Sequence, residues 1–164
     1  MAEEITMKTR VNLKNLEKAI EKLNTELRKV LVGQEEMVKL VITAILANGH
    51  VLLEGVPGIA KTLTAKLVAK TLAIDFSRIQ FTPDLMPSDI IGTNIFNIKK
   101  SNFEFKKGPV FANLILIDEI NRSPAKTQAA LFEVMQEFQI TVDGKTYELD
   151  DPFIVLATQN PVEY

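Results

Sequence analysis

The stretch that most constrains the fold is Gly55-Val56-Pro57-Gly58-Ile59-Ala60-Lys61-Thr62. A glycine-rich turn between a strand and a helix aims several backbone N–H groups into one concavity, where the positive end of the helix also favours an anion. Lys61 adds a mobile positive charge, and Thr62 adds a hydroxyl suited to Mg²⁺. The stretch therefore predicts a phosphate-binding loop, although Ala60 stands where the consensus G-x-x-x-x-G-K-[ST] has its second glycine.

Composition limits the class of protein. The chain has 164 residues, of which 46% are hydrophobic, and this is enough for one domain with a buried core. Its net charge of -2 gives no overall positive field that would attract nucleic acid or an anionic membrane. The absence of cysteine excludes disulfides and thiol chemistry. Since neither a signal peptide nor an apolar run of transmembrane length is visible, we expect a cytoplasmic protein.

The N-terminal part of the chain predicts two helices. Apolar residues from Leu13 to Val30 recur at spacings of three and four, which is typical of one stripe of an amphipathic helix. We expect this stripe to pack on the rest of the domain; a short intermolecular coiled coil is the alternative. A second helix is predicted from about Gln34 to Asn48. We accordingly divide the chain into an N-terminal helix, residues 1–31, and a core, residues 32–164.

Several short segments predict an α/β core with a mainly parallel sheet. Continuously apolar runs bounded by turn residues are typical of strands buried on both faces. Strands of this kind are predicted at His50–Glu54, Leu114–Ile117 and Phe153–Thr158, and Phe76–Phe81 is predicted as a further strand. Helices are predicted from Thr62 to Leu72 and from Ala125 to Glu137. For the second of these we expect Ser123 as the N-cap and Ala129, Leu131, Phe132 and Met135 facing inward.

Two further segments predict β-hairpins added to this core. In the first, from Gly92 to Gly108, apolar residues flank a turn that contains Lys99 and Lys100. This basic tip is either a binding feature or an ordinary solvated turn. In the second hairpin, Asp143-Gly144 separates two alternating segments, and this dipeptide is a strong signal for a two-residue turn.

Polar residues follow three of the predicted strands: Lys61 and Thr62, then Asp118 and Glu119, then Asn160. Ligands of open α/β sheets bind outside the carboxyl ends of the strands, so these side chains are expected to meet there. Together they predict hydrolysis of a nucleoside triphosphate. Lys61 would hold phosphates, Thr62 and Asp118 would hold Mg²⁺, and Glu119 would activate the attacking water, with Asn160 bonding that water or the γ-phosphate.

Two other residues leave alternatives open. His50 is the lone histidine, and without a second histidine or a cysteine we expect a structural role and not a metal site. Arg122 could touch a phosphate in a neighbouring subunit, or it could form a surface ion pair.

The motifs together resemble the MoxR family of AAA+ ATPases. The resemblance extends from about Val32 to the last residue and rests on the phosphate loop, Gly108-Pro109-Val110-Phe111-Ala112-Asn113, Asp118-Glu119-Ile120-Asn121-Arg122, Lys126-Thr127-Gln128-Ala129-Ala130-Leu131 and Ala157-Thr158-Gln159-Asn160-Pro161. That family often has alanine at the position of Ala60. The departure from the general consensus is therefore part of the resemblance. An alanine in this position also costs no strain if it is already in right-handed helical geometry.

The resemblance implies a P-loop fold with a three-layer αβα core, binding ATP or ADP with Mg²⁺. Its Walker A contacts would come from Gly55, Pro57, Gly58, Ile59, Ala60, Lys61, Thr62 and Leu63, with Val32 and Gly33 on the adenine side. Asp118 and Glu119 would be the Walker B pair, and Asn160 would be sensor 1. The Gly92 to Gly108 hairpin resembles the family's insertion in helix 2, thought to face the pore of a ring and act on a client.

By resemblance, the members are hexameric, chaperone-like ATPases that remodel partners, frequently ones with von Willebrand factor A domains. Such proteins continue into an arginine-finger segment, a fifth strand and a helical lid, and we expect these parts to be absent from a chain that ends at Tyr164. We therefore expect little hydrolysis by this chain alone. The alternatives are a nucleotide-dependent binding module without turnover and a DNA-associated AAA+ subunit, the latter disfavoured by the acidic charge.

Overall fold

The computed structural model describes residues 13–54 and 59–159. Its helices are α1 Leu13–Arg28, α2 Glu35–Ala47, α3 Ile59–Leu72, α4 Pro87–Ile91 and α5 Ala125–Glu137. Its strands are β1 Val51–Glu54, β2 Phe76–Gln80, β3 Gly92–Asn97, β4 Asn102–Lys107, β5 Leu114–Asp118, β6 Gln139–Val142, β7 Lys145–Glu148 and β8 Ile154–Gln159. Short 3₁₀ helices follow at Pro109–Phe111 and Ile120–Arg122. None of the described helices is long and apolar enough to cross a membrane.

Four strands form one sheet in the order β1-β8-β5-β2, and every neighbouring pair is parallel. In the register of the sheet, Leu53 lies beside Thr158 and Gln80 lies beside Asp118. Because parallel strands all run the same way, their carboxyl ends meet at one edge. The predicted α/β fold with a parallel sheet is confirmed, and the predicted end of each strand lies at the edge where ligands of such sheets bind.

Alternate residues of the two central strands, β5 and β8, pack into two separate apolar cores on opposite faces of the sheet. Leu114, Leu116, Ile154 and Leu156 pack with buried residues of α1, α2 and α3. Ile115, Ile117, Val155 and Ala157 pack on the opposite face with α4, α5 and β6. Since successive side chains of a strand point to opposite faces, a strand covered on both sides must be apolar at every position. This requirement explains the uninterrupted apolar runs in β5 and β8.

The first strand does not follow this rule. The prediction that it is buried on both faces is wrong, because Leu52 is 54% exposed and Glu54 is also exposed. Within the described part of the chain, β1 has a neighbour on one side only, since it stands at the end of the strand order. An edge strand with one covered face takes an alternating pattern of burial.

Both predicted hairpins are present and lie against each other. Strands β3 and β4 pair from Gly92 to Lys107, and β6 and β7 pair around Asp143-Gly144, both of which have positive φ. The ring of Phe105 stacks on that of Tyr147 with centroids 4.4 Å apart, and the Asn94 amide donates a hydrogen bond to the Asp143 carboxylate. The two hairpins therefore form one continuous surface beside the parallel sheet.

Helix α5 departs from the prediction at two points. Its buried residues are Thr127, Leu131 and Val134, whereas Ala129 is exposed and Phe132 is 51% exposed. The helix is also not capped by Ser123: Pro124 occupies the cap position, and the Ser123 hydroxyl is buried without a hydrogen-bond partner among the described residues. The predicted inward position is therefore correct for Leu131, which is buried, and wrong for Ala129 and Phe132, which are exposed.

Candidate functional site

The candidate site lies where the carboxyl ends of β1, β5 and β8 meet the first turn of α3. Ile59 and Ala60 begin α3, and Lys61, Thr62 and Leu63 follow in the same helix. Gly55, Pro57 and Gly58 of the predicted loop lie outside the described residues, and so does Asn160. The observed strand and helix bounds therefore put the predicted loop between β1 and α3.

A cavity of about 370 Å³ joins Lys61 to the segment that precedes α2. It is lined by Gly33 and Gln34 on one side and by Leu52, Leu53 and Glu54 of β1 on the other. The ammonium of Lys61 is buried and makes no hydrogen bond within the described part of the chain. A buried charge without a partner is strongly unfavourable, so the surroundings of Lys61 are suited to receive an anion. Val32 is 88% exposed and does not line this cavity.

Asp118, the last residue of β5, contacts two side chains from the neighbouring strands. Nε of Arg78 donates to Asp118 Oδ2 at 2.6 Å, and the hydroxyl of Thr158 faces Oδ1 at 3.5 Å. The Asp118 side chain is only 16% exposed, against 52% for Arg78. These contacts hold the carboxylate at the carboxyl end of β5.

Glu119 follows in a left-handed backbone conformation with φ of 58° and ψ of 53°. Its backbone N–H donates to the Thr158 hydroxyl at 3.1 Å. Its carboxylate Oε2 accepts from Nε2 of Gln80 at 2.9 Å and lies 3.2 Å from Nη1 of Arg122. The predicted ion-pairing role of Arg122 is thus observed within this chain.

Three residues that hold these carboxylates are not predicted from the sequence: Arg78, Gln80 and Thr158. Arg78 and Gln80 alternate in β2, on the face that a fully buried strand would fill with apolar side chains. Thr158 is a buried polar residue near the end of an otherwise apolar strand. Polar residues at such positions were the available signal, but their partners lie 39 or 40 residues away, beyond any local pattern.

The residues present fit a magnesium ion that is shared with a nucleotide. Among the described residues, no group of three or more His, Cys, Asp or Glu side chains could hold a metal by itself. One hydroxyl, from Thr62, and one carboxylate, from Asp118, would instead supply a small oxygen donor set of the kind that Mg²⁺ takes when phosphates and waters supply the rest. The ammonium of Lys61, which has no hydrogen-bond partner among the described residues, lies on the same helix as Thr62 and fits the phosphate half of such a complex.

His50 lies away from this site and has structural contacts. Its Nδ1 accepts from the backbone N–H of Val155 at 3.1 Å, and its ring stands edge-on to Phe153 with centroids 5.8 Å apart. Burial lowers the pKa of His50, and a hydrogen bond to the Met135 carbonyl opposes this shift only in part. The neutral ring is therefore the form that the folded chain favours.

Comparison with known proteins identifies the class to which this chain belongs. Residues 50–164 match the sequence profile of the family described as ATPase family associated with various cellular activities (AAA). The crystal structure of a protein from Cytophaga hutchinsonii ATCC 33406 superposes with a TM-score of 0.82 at 57% identity, covering 92% of this chain and 48% of that one. The α/β fold is thus that of an AAA ATPase.

Curated relatives define the branch of that class. YeaC of Bacillus subtilis (strain 168) is 53% identical over 91% of this chain and 45% of its own length. Chaperone MoxR1 of Mycobacterium tuberculosis (strain ATCC 25618 / H37Rv) is 50% identical over 88% of this chain and 38% of its own length. The chain belongs to the MoxR family of AAA+ ATPases. It spans less than half the length of each of these relatives.

Proposed function

We propose that this chain is the nucleotide-binding core of an ATPase that hydrolyses ATP with Mg²⁺. The observation that carries the proposal is the buried ammonium of Lys61, which finds no partner among the described residues. It lies on the helix that begins at the predicted phosphate loop and lines a cavity large enough for part of a nucleotide. A phosphate would supply a negative charge and hydrogen-bond acceptors, which the described residues do not provide to this ammonium.

Each residue of the site takes a separate task in this proposal. The loop from Gly55 to Thr62, together with Leu63, binds the phosphates, while Gly33, which lines the cavity, contacts the adenine side. Thr62 and Asp118 hold Mg²⁺, which neutralises charge on the phosphates when bound. Glu119 orients or deprotonates the attacking water, and Asn160 bonds that water or the γ-phosphate. Phosphoryl transfer asks the protein mainly for such positioning and charge neutralisation.

The bonds made by Glu119 support its role in water activation. Gln80 and Arg122 hold one carboxylate oxygen, Oε2, and no hydrogen bond within the described part of the chain engages Oε1. A carboxylate that is oriented through one oxygen and open at the other can accept a proton from water.

We further propose that the chain works within a ring of identical subunits, where ATP hydrolysis remodels a protein client. Proteins with von Willebrand factor A domains are among these clients. A relative that is half identical carries the name chaperone MoxR1. On this chain, the β3–β4 hairpin exposes large apolar side chains, with Phe96 50%, Phe103 70% and Ile98 84% exposed. Apolar side chains concentrated at one exposed tip are suited to contact another protein.

The test is ATP turnover by the gene's full-length product with Glu119→Gln. This substitution keeps the size of the side chain and its bond to Gln80 but removes the base. We expect nucleotide affinity to stay within about threefold of the original while the hydrolysis rate falls at least about a hundredfold, the scale of a lost general base. Phosphate release and fluorescent-nucleotide binding measure the two quantities separately.

The matched control is Glu137→Gln, which makes the same chemical change at an exposed residue at the end of α5. It should leave both turnover and affinity unchanged. Normal turnover by the Glu119→Gln protein would assign the water to another residue. Failure of the unmodified full-length protein to release phosphate would favour a nucleotide-dependent binding module.

A further inference from the structure

The ion pair between Arg78 and Asp118 places a positive charge beside the carboxylate that the proposed function assigns to Mg²⁺. Nε of Arg78 lies 2.6 Å from Asp118 Oδ2, a short charge-assisted hydrogen bond. The other oxygen, Oδ1, is engaged by the Thr158 hydroxyl at 3.5 Å. One oxygen of Asp118 is therefore ion-paired, and the other faces a hydroxyl at the long limit of a hydrogen bond.

The sheet puts Arg78 on the same side as the nucleotide site. In the parallel register Arg78 lies beside Leu116, and Leu116 packs in the core that includes α3. Residues two apart in a strand share a face, so Asp118 continues the row begun by Leu116. Arg78 thus reaches along its neighbouring strand to the carboxylate at the end of β5.

The two partners differ in their freedom to move. The Arg78 side chain is 52% exposed, whereas the Asp118 side chain is 16% exposed. A guanidinium does not lose its proton in a protein, so Arg78 can release the carboxylate only by moving away. Because more than half of its side chain is open to solvent, that movement requires no rearrangement of the core.

We propose that Arg78 is a displaceable counter-ion of Asp118. It neutralises and orients the carboxylate before the metal arrives, and it opposes divalent-cation binding until it moves off. This inference rests on the proposed function, because it takes Asp118 as a ligand of Mg²⁺ directly or through water. Arg78 is accordingly a positioning residue, and it sets how much metal the nucleotide complex needs.

The test measures metal affinity and requires no turnover. Arg78→Gln removes the charge, and Mn²⁺ is titrated into the ADP complex while its free concentration is followed by electron paramagnetic resonance. A half-exposed ion pair is worth little, so Mn²⁺ should bind about two- to fivefold more tightly to the variant. Arg78→Lys, which keeps the charge without the planar guanidinium, should fall between the variant and the original.

Lys70→Gln is the control for a general effect of charge. Lys70 is exposed in the last turn of α3, about 17 Å along the helix from its start at a rise of about 1.5 Å per residue. Its removal should leave Mn²⁺ affinity unchanged. An equal gain in the two Gln variants, or an unchanged or weaker Mn²⁺ affinity in Arg78→Gln, would overturn the role of Arg78.

The same samples separate this inference from the proposed function. ADP affinity of the unmodified chain in EDTA reports the nucleotide site without metal. Normal ADP binding with no effect of Arg78→Gln on Mn²⁺ contradicts the inference alone. Absence of ADP binding, with and without Mn²⁺, contradicts the proposed function and the inference together.

Discussion

The hydroxyl of Thr158 and the backbone N–H of Glu119 form a 3.1 Å hydrogen bond across two neighbouring strands. Glu119 is in a left-handed conformation that is unfavourable for a residue with a Cβ, by about 1–2 kcal/mol. The same hydroxyl faces Oδ1 of Asp118 at 3.5 Å. One buried side chain therefore holds the turn that presents both carboxylates of the site.

Thr158→Val should reduce the stability of the fold. Valine matches the shape of threonine but leaves the Glu119 N–H without its partner, so the free energy of unfolding should fall by about 1–2 kcal/mol. Urea denaturation of the chain measures this change. Thr71→Val is the control: its hydroxyl bonds a carbonyl of its own helix, at Leu67, from an exposed position, so we expect a change within about 0.5 kcal/mol. A Thr158→Val protein as stable as the original would show that the bond does not hold the turn.

Gly92→Ala should destabilise the base of the first hairpin. Gly92 has φ of 100° and ψ of 176°, a region that is essentially restricted to glycine. A Cβ there would lie 2.3 Å from the Lys106 carbonyl oxygen. We expect a loss of at least about 2 kcal/mol of unfolding free energy, from backbone strain together with this clash.

Gly49→Ala is the matched change at a site without either problem, since its added Cβ would meet nothing within 4 Å. Alanine there should be neutral or slightly stabilising, because it reduces the freedom of the unfolded chain. Equal melting temperatures for the two alanine variants would contradict the account of the hairpin base.

The buried His50 should make stability depend on pH. Its pKa in the folded chain is below the ordinary value of about 6.5, so as the pH falls the unfolded chain takes up the proton first. The stabilising contribution is therefore complete above about pH 6.5 and is lost as the pH falls toward the folded pKa. Protonation would also remove the acceptor for the Val155 N–H.

His50→Gln cannot titrate, yet its side-chain oxygen can still accept from Val155. Between pH 7.5 and 5.5 the melting temperature of the unmodified chain should fall further than that of His50→Gln. Thermal unfolding followed by circular dichroism at several pH values measures the difference. Parallel pH profiles for the two proteins would show that His50 does not contribute.

The parallel sheet and both hairpins follow from local sequence, because burial on both faces and the Asp143-Gly144 turn leave patterns within a few residues. The exposure of Leu52 and Phe132 does not, since it depends on which strand stands at the edge and how α5 is rotated. The pairing of Arg78 with Asp118 joins residues 40 apart and becomes visible only through the strand order. The sequence thus predicts the two carboxylates, and the fold supplies the residues that hold them.

The central claim is that Lys61 binds the phosphates of a nucleotide, and calorimetric titration of ATP with Mg²⁺ tests it most directly. Lys61→Ala removes a charge-assisted contact worth about 1.5–3 kcal/mol, so affinity should fall about ten- to a hundredfold. Lys66→Ala, which removes an exposed lysine of the same helix, should bind as the original does. An ATP affinity that is the same with and without the Lys61 side chain would contradict the claim.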